Sequence, residues 1–410
     1  MSRKKPCSHC GPLPANHWES WINDWLVWFF NKFEARIKKI GGGFLGKPIL
    51  FFENQITAAV IWLLLKSKII SLTADIDRSK IYNRTLVFLD EAKKKGYRAG
   101  AVLFLGRYNN QFFIEISGQR IFFEGLPLGR QRRNIANIFI DDKARLKEIL
   151  RNHGLPFVIG QSFFSRRAAC RYGLKLGWPL VVKPRWGSVS RHVFVDINSK
   201  EKLKEAIKNV KEICPWVVVE KFLTGASVWR ATVVDYKLGG VVKRIPANVV
   251  GDGVSSIAEL VETKNADPRR GEPKQKDCTY LKIVLDQTSA KLLAAQKLAF
   301  GGVPARGQQV WLQEKIILDL GADLLDATGA AHPDNIKIFE QAARVFGAQL
   351  VGIDFLCRDI GVSWREQECA IIELNSLPFI DMHHYPLEGQ PRNIAAMLLA
   401  MMEEEYKINK

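Results

Sequence analysis

Between residues 17 and 39, Trp18, Trp21, Trp25, Trp28 and Phe29 recur at helical spacing, with Glu19, Asp24, Lys32, Glu34 and Arg36 falling largely between them. This pattern predicts an amphipathic helix that stops at the glycines Gly41–Gly43. Such an aromatic stripe either docks on the protein body or lies on a membrane surface or partner, since tryptophan and basic residues favour interfaces. The most apolar stretch is ITAAVIWLLLKSKII, residues 56–70. Its uncharged part, Gln55 to Leu65, is far short of the roughly 20 residues that cross a bilayer, so it predicts a buried helix. Residues 44–135 read as a smaller α/β segment. LVFLDEAKKKGYRAGAVLFL predicts a helix, a turn at Gly96 and a buried strand, and QFFIEISGQRIFFEGLP alternates as a hairpin around Ser117-Gly118. A domain boundary is expected near RQRRNIA, residues 130–136.

The texture changes from Asn134 onward. DDKARLKEILRNHG predicts a capped helix that ends at Gly154. LKLGWPLVVKPRWGSVSRHVFVDI predicts strand, glycine-bearing turn and strand, and SKEKLKEAIKNVKEI a charged amphipathic helix. CPWVVVEKFLTG is a short buried strand. QLVGIDFLCRD and CAIIELNS are two apolar strands that each end in acidic or amide groups.

The length of 410 residues suggests two to four domains. With 47% hydrophobic and 25% charged residues, a mostly disordered chain is excluded. The net charge of +18 is uneven, because residues 1–140 carry 22 basic against 10 acidic side chains. A basic surface attracts nucleic acid, acidic lipid, acidic peptide or nucleotide alike and identifies none of them. Seven cysteines without regular spacing point to reduced, cytoplasmic usage. The basic start MSRKKPCSHCGPLP lacks an apolar run after it and does not read as a secretory signal. Cys7 and Cys10 form a CxxC with His9 and His17 nearby. Four ligands are what a zinc knuckle needs, but Pro12, Pro14 and the loose spacing weigh against one and favour a simple tail.

Candidate chemistry gathers after residue 140. Lys143 opens a helix after Asp141-Asp142, and Lys183 ends the apolar strand PLVV. A lysine at a strand end, followed by Gly187, Ser188, Val189 and Ser190, can hold phosphate oxygens with charge, amides and hydroxyls. Glu220 and Lys221, then Phe222 and Leu223, follow a buried strand and can present backbone groups and an apolar wall to a purine. Asp354 lies within VGIDFL, and Glu373 and Asn375 within IIELN. An acid inside a buried strand is costly unless paired or metal-bound. Glu373 and Asn375, two apart, share one strand face. With Asp354 on a neighbouring strand, two carboxylates and an amide would suit Mg2+. Arg244 and the Gly251-Asp252-Gly253 turn precede a predicted helix, and Arg269 and Arg270 add cations able to position a carboxylate or phosphate.

Taken in this order, the motifs resemble the ATP-grasp superfamily, above all the ATP-grasp part of cyanophycin synthetases, and more distantly D-alanine–D-alanine ligases and glutathione synthetases. The resemblance covers about residues 134–400 and rests on DDK at Lys143, VVKP at Lys183, VVVEKFLTG at Glu220, and RIPANVVGDGVSSIAELVETKNADPRRG. It continues through DLGADLLDATGAAHPDN, GIDF at Asp354, IIELN at Glu373 and Asn375, and MHHYPLEGQPRNIA. It implies an ATP-grasp fold of α/β (α+β) class, with two α+β subdomains clamping ATP over residues 136–402 and a lid at about 153–221. Before them lie a tail with its tryptophan-rich helix (1–43) and the α/β segment (44–135).

The resemblance further implies an ATP-dependent ligase that joins a carboxylate to an amine through an acyl phosphate, acting on an amino acid or peptide. Lys143 and Lys183 would hold ATP phosphates, Gly187–Ser190 would close over them, and Glu220, Lys221 and Leu223 would line the adenine site. Asp354, Glu373 and Asn375 would bind two Mg2+ ions. His383 and Gly389 belong to the last motif and stand with Arg269 and Arg270 as candidate substrate residues. The chain departs from the family pattern at Ser190 and His192, which replace lid glycines, and at Gln313 and Ile317, where arginine and asparagine are expected. Arg306 or Arg230 could supply the charge absent at Gln313, and both stand with Arg244 as candidate catalytic residues. The alternative these departures favour is a nucleotide-binding module without ligase activity. The Mur-ligase-like half of cyanophycin synthetase has no counterpart before Lys410, so one kind of amide bond at most is expected. The expected partners are the acid and amine substrates. A homo-oligomer, and membrane or nucleic-acid contact through the basic N-terminal part, stay open.

Overall fold

The computed structural model describes residues 7–10, 16–41, 63–129, 139–187 and 190–407. The predicted helix over 56–70 lies mostly outside them. Of its described end, residues 63–66 are helical as expected, but Leu63 is exposed rather than buried and Ile70 already belongs to a strand. The boundary expected at 130–136 and Ser188 also lie outside the described residues.

Helix α1 (His17–Gly41) carries the tryptophan stripe. Asn16 caps it, accepting from the Trp18 amide at 3.2 Å. Trp25 and Trp28 turn inward onto Trp216, with ring centroids 4.8 and 5.3 Å away, so this part of the stripe docks on the body. Trp18, Leu26, Phe29 and Phe30 remain exposed.

The next unit is an antiparallel sheet of four consecutive strands, β1 (Ile70–Thr73), β2 (Ala99–Phe104), β3 (Arg107–Ile116) and β4 (Gln119–Glu124), with α2 (Asn83–Lys94) between the first two in sequence. The hairpin turns at the predicted dipeptide, where Ser117 (φ 51°) and Gly118 (φ 74°) both take positive φ. That conformation matches the twist of paired strands.

Helix α3 (Lys143–Asn152) then leads to a second sheet built from β5 (Gly160–Phe163), α4 (Arg166–Leu176), β6 (Leu180–Pro184), β7 (Phe194–Ile197), α5 (Lys200–Val210) and β8 (Val217–Lys221). Its strand order is β5-β8-β6-β7. Strands β9 (Ser227–Val234) and β10 (Lys237–Ile245) begin a third sheet. An excursion follows, comprising β11 (Asn248–Val250), α6 (Ile257–Asn265), β12 (Arg270–Gly271), β13 (Tyr280–Leu281), α7 (Gln287–Ala295) and β14 (Gln309–Trp311), with its own small core around Val249, Ile257, Leu293 and Leu312. The chain returns with β15 (Asp323–Asp326), α8 (Pro333–Phe346), β16 (Leu350–Cys357) and β17 (Cys369–Asn375), completing the sheet in the order β15-β10-β9-β16-β17. The final helix α9 (Ile394–Glu405) packs its Leu398 and Leu399 with Leu86 and Leu89 of α2, so the N-terminal sheet shares a core with the C-terminal end.

Strand alternation decides what the two larger sheets present to each other. In the second sheet, Leu180, Val182, Val217 and Val219 enter the core beneath α5. The opposite face carries Val181, Lys183, Val218 and Glu220, because cross-strand partners share a face. In the third sheet, Val351, Ile353 and Phe355 pack with Phe339 and Phe346 of α8, leaving Asp354 for the other side. Among the described residues, no helix is long and apolar enough to cross a membrane.

Candidate functional site

A cavity of about 770 Å3 lies between the polar faces of the two sheets. Lys143, Lys183, Gly187, Ser190, Glu220, Lys221, Leu223, Arg244, Asp354 and Glu373 all line it, although they are spread over more than two hundred residues of sequence. Its size falls within the range of small-molecule sites.

On the lid side, Glu220 is buried between two lysines, with Lys183 Nζ 2.5 Å from Oε1 and Lys147 Nζ 2.5 Å from Oε2. Burial alone would raise the Glu220 pKa, but the two ammonium groups outweigh it and hold the carboxyl below its ordinary range. Burial pushes the Lys147 pKa down against the pull of Glu220. Lys147 is a functional neighbour that the sequence reading missed. Its signal was the i,i+4 spacing from Lys143, which puts both on one face of α3. Glu220 is also a correction to a simple strand exit, since it lies inside β8 and its side chain is an ion-pair hub.

The start of α3 is fixed by Asp142. Its carboxylate accepts from the Ala144 amide at 3.0 Å and the Arg145 amide at 3.2 Å, and takes Arg185 through two bonds at 2.8 and 2.7 Å. Arg185 follows β6, so this pair ties Lys143 to the strand that carries Lys183. The Lys143 ammonium then donates to the Gly187 carbonyl at 2.8 Å and lies 3.3 Å from Glu373 Oε1. Lys315, also unforeseen, donates to the Ser190 carbonyl at 3.2 Å from across the cavity.

The opposite wall is a ladder of charges. Strand register sets Arg230 of β9 opposite Asp354 of β16, and Asp354 opposite Glu373 of β17, with Asn375 opposite Gly352. Asp354 therefore stands on the strand adjacent to Glu373 and Asn375, and Asp354 and Glu373 both line the cavity. Arg244 Nη1 stands 3.4 Å from Asp354, and its Nη2 donates to the Ile316 carbonyl at 2.8 Å. Burial would raise the Asp354 pKa, but Arg230 and Arg244 overcome it and keep the group ionised. Two carboxylates with an adjacent amide form an all-oxygen donor set that fits Mg2+.

The remaining candidates lie elsewhere. Arg306 is exposed on the loop packed against Gly253, outside the cavity lining. Arg270 is buried and paired with Asp323, which also binds Lys264 at 2.5 Å and Asn248 at 2.9 Å. Arg269 pairs with Asp267 and donates to the Pro386 carbonyl at 3.1 Å. His383 is buried, with Nε2 2.7 Å from Thr232 Oγ1. Burial, with the charge of Arg230, pushes its pKa down to about 3. Gly389 takes φ 91° at a turn against Asp326. Gln313 is buried, and its neighbours Glu314, Lys315 and Ile316 line the cavity.

No family model matches the chain. It is 35% identical over 226 residues to cyanophycin synthetase of Trichormus variabilis, a match covering 55% of this chain and 25% of that protein. It is 28% identical over 271 residues to the glutathione biosynthesis bifunctional protein of Clostridium perfringens, covering 65% of this chain and 34% of that one. The chain thus spans between a quarter and about a third of the length of these curated relatives. In fold it is similar to a bifunctional glutathione synthetase from Pasteurella multocida, with a TM-score of 0.62 at 23% identity, over 80% of this chain and 44% of the other.

Proposed function

We propose that this chain is a member of the ATP-grasp superfamily, as its sequence relatives and its fold support, and that the cavity binds ATP and drives the joining of a carboxylate to an amine, with an amino acid or peptide among the substrates. The observation that carries this reading is the meeting of Lys143, Lys183, Asp354 and Glu373 in one cavity between two sheets. Cations on the lid side suit phosphate oxygens, and the carboxylates opposite suit the metal that accompanies them. Cyanophycin synthetase and the glutathione-forming relatives are named for products assembled from amino acids, which supports the substrate class.

In this reading Lys143 and Lys183 hold the phosphates. Gly187 and Ser190, which both line the cavity, border the phosphates, and the segment from Glu220 to Leu223 borders the base. Asp354, Glu373 and Asn375 hold two Mg2+ ions, which would neutralise charge on the transferring phosphoryl group. Asp354 Oδ1 accepts from both Arg230 and Arg244, so a cation would approach Asp354 through Oδ2, which of these two arginines meets only Arg230. Arg230 and Arg244 orient Asp354 and add positive charge where the family arginine is replaced by Gln313. Excluding water behind the lid protects an acyl phosphate until the amine attacks.

The test is calorimetric titration with Mg·ATP, followed by ADP release with pools of amino acids and peptides. Glu373→Gln should keep the fold and lose Mg2+-dependent turnover. Binding with no ADP released from any pool would favour the nucleotide-binding module instead. Absence of binding would sink both.

A further inference from the structure

Four soft or borderline donors converge where the N-terminal segment meets the second sheet, and one of them, His192, also lines the cavity. Cys7, Cys10, His17 and His192 each offer a ligand atom, and these atoms all lie within 4.8 Å of one another. We propose that they bind one zinc ion, through both sulfurs and the Nε2 atoms of both histidines.

The distances decide between a metal and plain hydrogen bonding. A tetrahedral zinc with ordinary Zn–S and Zn–N bonds separates sulfur from nitrogen by about 3.6 Å. Here Cys10 Sγ lies 3.2 Å from His17 Nε2 and 3.6 Å from His192 Nε2, and Cys7 Sγ lies 3.5 Å from His192 Nε2. The single Nε2 of His192 therefore faces two sulfurs at once. A neutral ring nitrogen with one lone pair accepts well from only one thiol, whereas a cation at the centre satisfies every donor.

The surroundings orient the ligands as a metal site requires. The His192 Nδ1 lies 2.7 Å from the Asn209 carbonyl, which places the ring proton there and leaves Nε2 as the donor to metal. His17 Nδ1 lies 4.0 Å from the Glu212 carboxylate, beyond a direct hydrogen bond but with a negative group facing the outer ring nitrogen. Two thiolates balance the dication, so the cluster, with Cys10 and His192 buried and Cys7 and His17 half-buried, is neutral. Two sulfurs and two imidazoles in tetrahedral reach select zinc over hard cations.

The backbone is arranged to bring these groups together. Residues Ser8–Cys10 form a single 3-10 turn that puts both cysteines of the CxxC on one side. The His192 amide donates to the His9 carbonyl at 3.0 Å, and His192 takes φ 49°, a left-handed conformation that a non-glycine residue adopts only when its surroundings hold it there. His9, which the sequence groups with the cysteines, turns its ring edgewise to Phe194 at 5.1 Å and is replaced as a ligand by His192. His192 stands two residues beyond Ser190, so the ion joins α1 and the residues around Cys7 and Cys10 to the chain just after Ser190.

The experiment is metal analysis of the full chain purified under reducing conditions from zinc-containing medium. About one zinc per chain is expected, as for a closed four-ligand site. Cys10→Ser and His192→Asn should each lose it, while His9→Gln should retain it. Replacement of the metal by Co2+ in the unaltered chain should give the intense visible absorption of tetrahedral thiolate coordination, a readout that needs no variant to fold. Chelation should lower the unfolding temperature. The proposal is overturned by a metal-free chain, by a Cys7–Cys10 disulfide as the resting state, by an octahedral cobalt spectrum, or by zinc that persists in Cys10→Ser and His192→Asn. An unfolding temperature indifferent to chelation would overturn the anchoring role.

Discussion

Arg230 grips Asp354 with two parallel bonds, Nε to Oδ1 at 2.6 Å and Nη2 to Oδ2 at 2.9 Å, from the strand alongside. It reaches the carboxylate by lying across Gly352, where an added Cβ would stand 3.1 Å from Arg230 Nη1 and 2.9 Å from Pro378 Cβ. Both charges are buried, so stripping one leaves the other uncompensated. Arg230→Ala should destabilise the chain by about 3–5 kcal/mol in denaturant unfolding. Arg230→Lys should recover only part of this, because an ammonium cannot make the fork. Gly352→Ala should weaken the same pair without removing a charge, and should lower Mg2+-dependent turnover along with stability. Arg230→Ala as stable as the parent would show that Arg244 alone sustains Asp354.

The two lysines on Glu220 should separate in their effects. Lys183 lines the cavity, and Lys183→Ala is expected to raise the dissociation constant for Mg·ATP by at least about tenfold, or about 1.4 kcal/mol. Lys147 meets Glu220 but is absent from the lining. Lys147→Ala should cost about 1–3 kcal/mol of stability and change ATP affinity less than Lys183→Ala does. Calorimetry and urea unfolding on both variants measure this, and a reversed order would exchange their roles.

Asp381 provides a pH dependence of stability. Burial raises its carboxyl from 3.8 to about 6, against the hydrogen bond from Thr279 at 2.8 Å. A folded pKa above the unfolded one means that the fold prefers the protonated acid. That preference is fully present below about pH 4 and is lost as pH rises through about 6. Asparagine resembles the protonated acid at every pH. The stability advantage of Asp381→Asn over the parent should therefore grow between about pH 4 and pH 7 and then level off, reaching at most about 3 kcal/mol. Thermal unfolding across this window reads the difference, and a flat difference would mean that Asp381 is charged in the fold throughout.

His383 is held neutral and close against the backbone of β10. A Cβ on Gly240 would stand 2.8 Å from His383 Nδ1, while one on Gly329 meets nothing within 4 Å. Gly240→Ala should cost about 1–3 kcal/mol through overpacking, and Gly329→Ala should stay within about 0.5 kcal/mol. With its pKa near 3, His383 should contribute no limb to the pH–activity profile. A limb near neutrality that vanishes in His383→Gln would show that the ring titrates in the working enzyme.

The legible parts of the chain were those governed by local period and local chemistry. The tryptophan stripe, the Ser117-Gly118 hairpin, the helix opened by Asp142 and the shared strand face of Glu373 and Asn375 all follow from spacing, and the structure contains each of them. Ile70 escaped this reading, because a short apolar run carries no period that separates helix from strand. Arg269 and Arg270 looked available for an anion. The fold instead pairs Arg270 with Asp323, 53 residues away, and Arg269 with nearby Asp267.

By itself, the sequence determined most of the elements after residue 140, the face that side chains take within them, and an order of motifs that resembles the ATP-grasp superfamily. Only the tertiary structure decided who meets whom across those faces. It set Arg230 against Asp354 at a separation of 124 residues, placed Lys147 beside Lys183 on Glu220, and chose His192 over His9 to stand with Cys10, 182 residues away. The reason is physical. Periodicity reports the direction of a side chain relative to its own backbone. The partner of a buried charge or ligand depends on strand order and register between distant segments, which are settled by the packing of whole sheets.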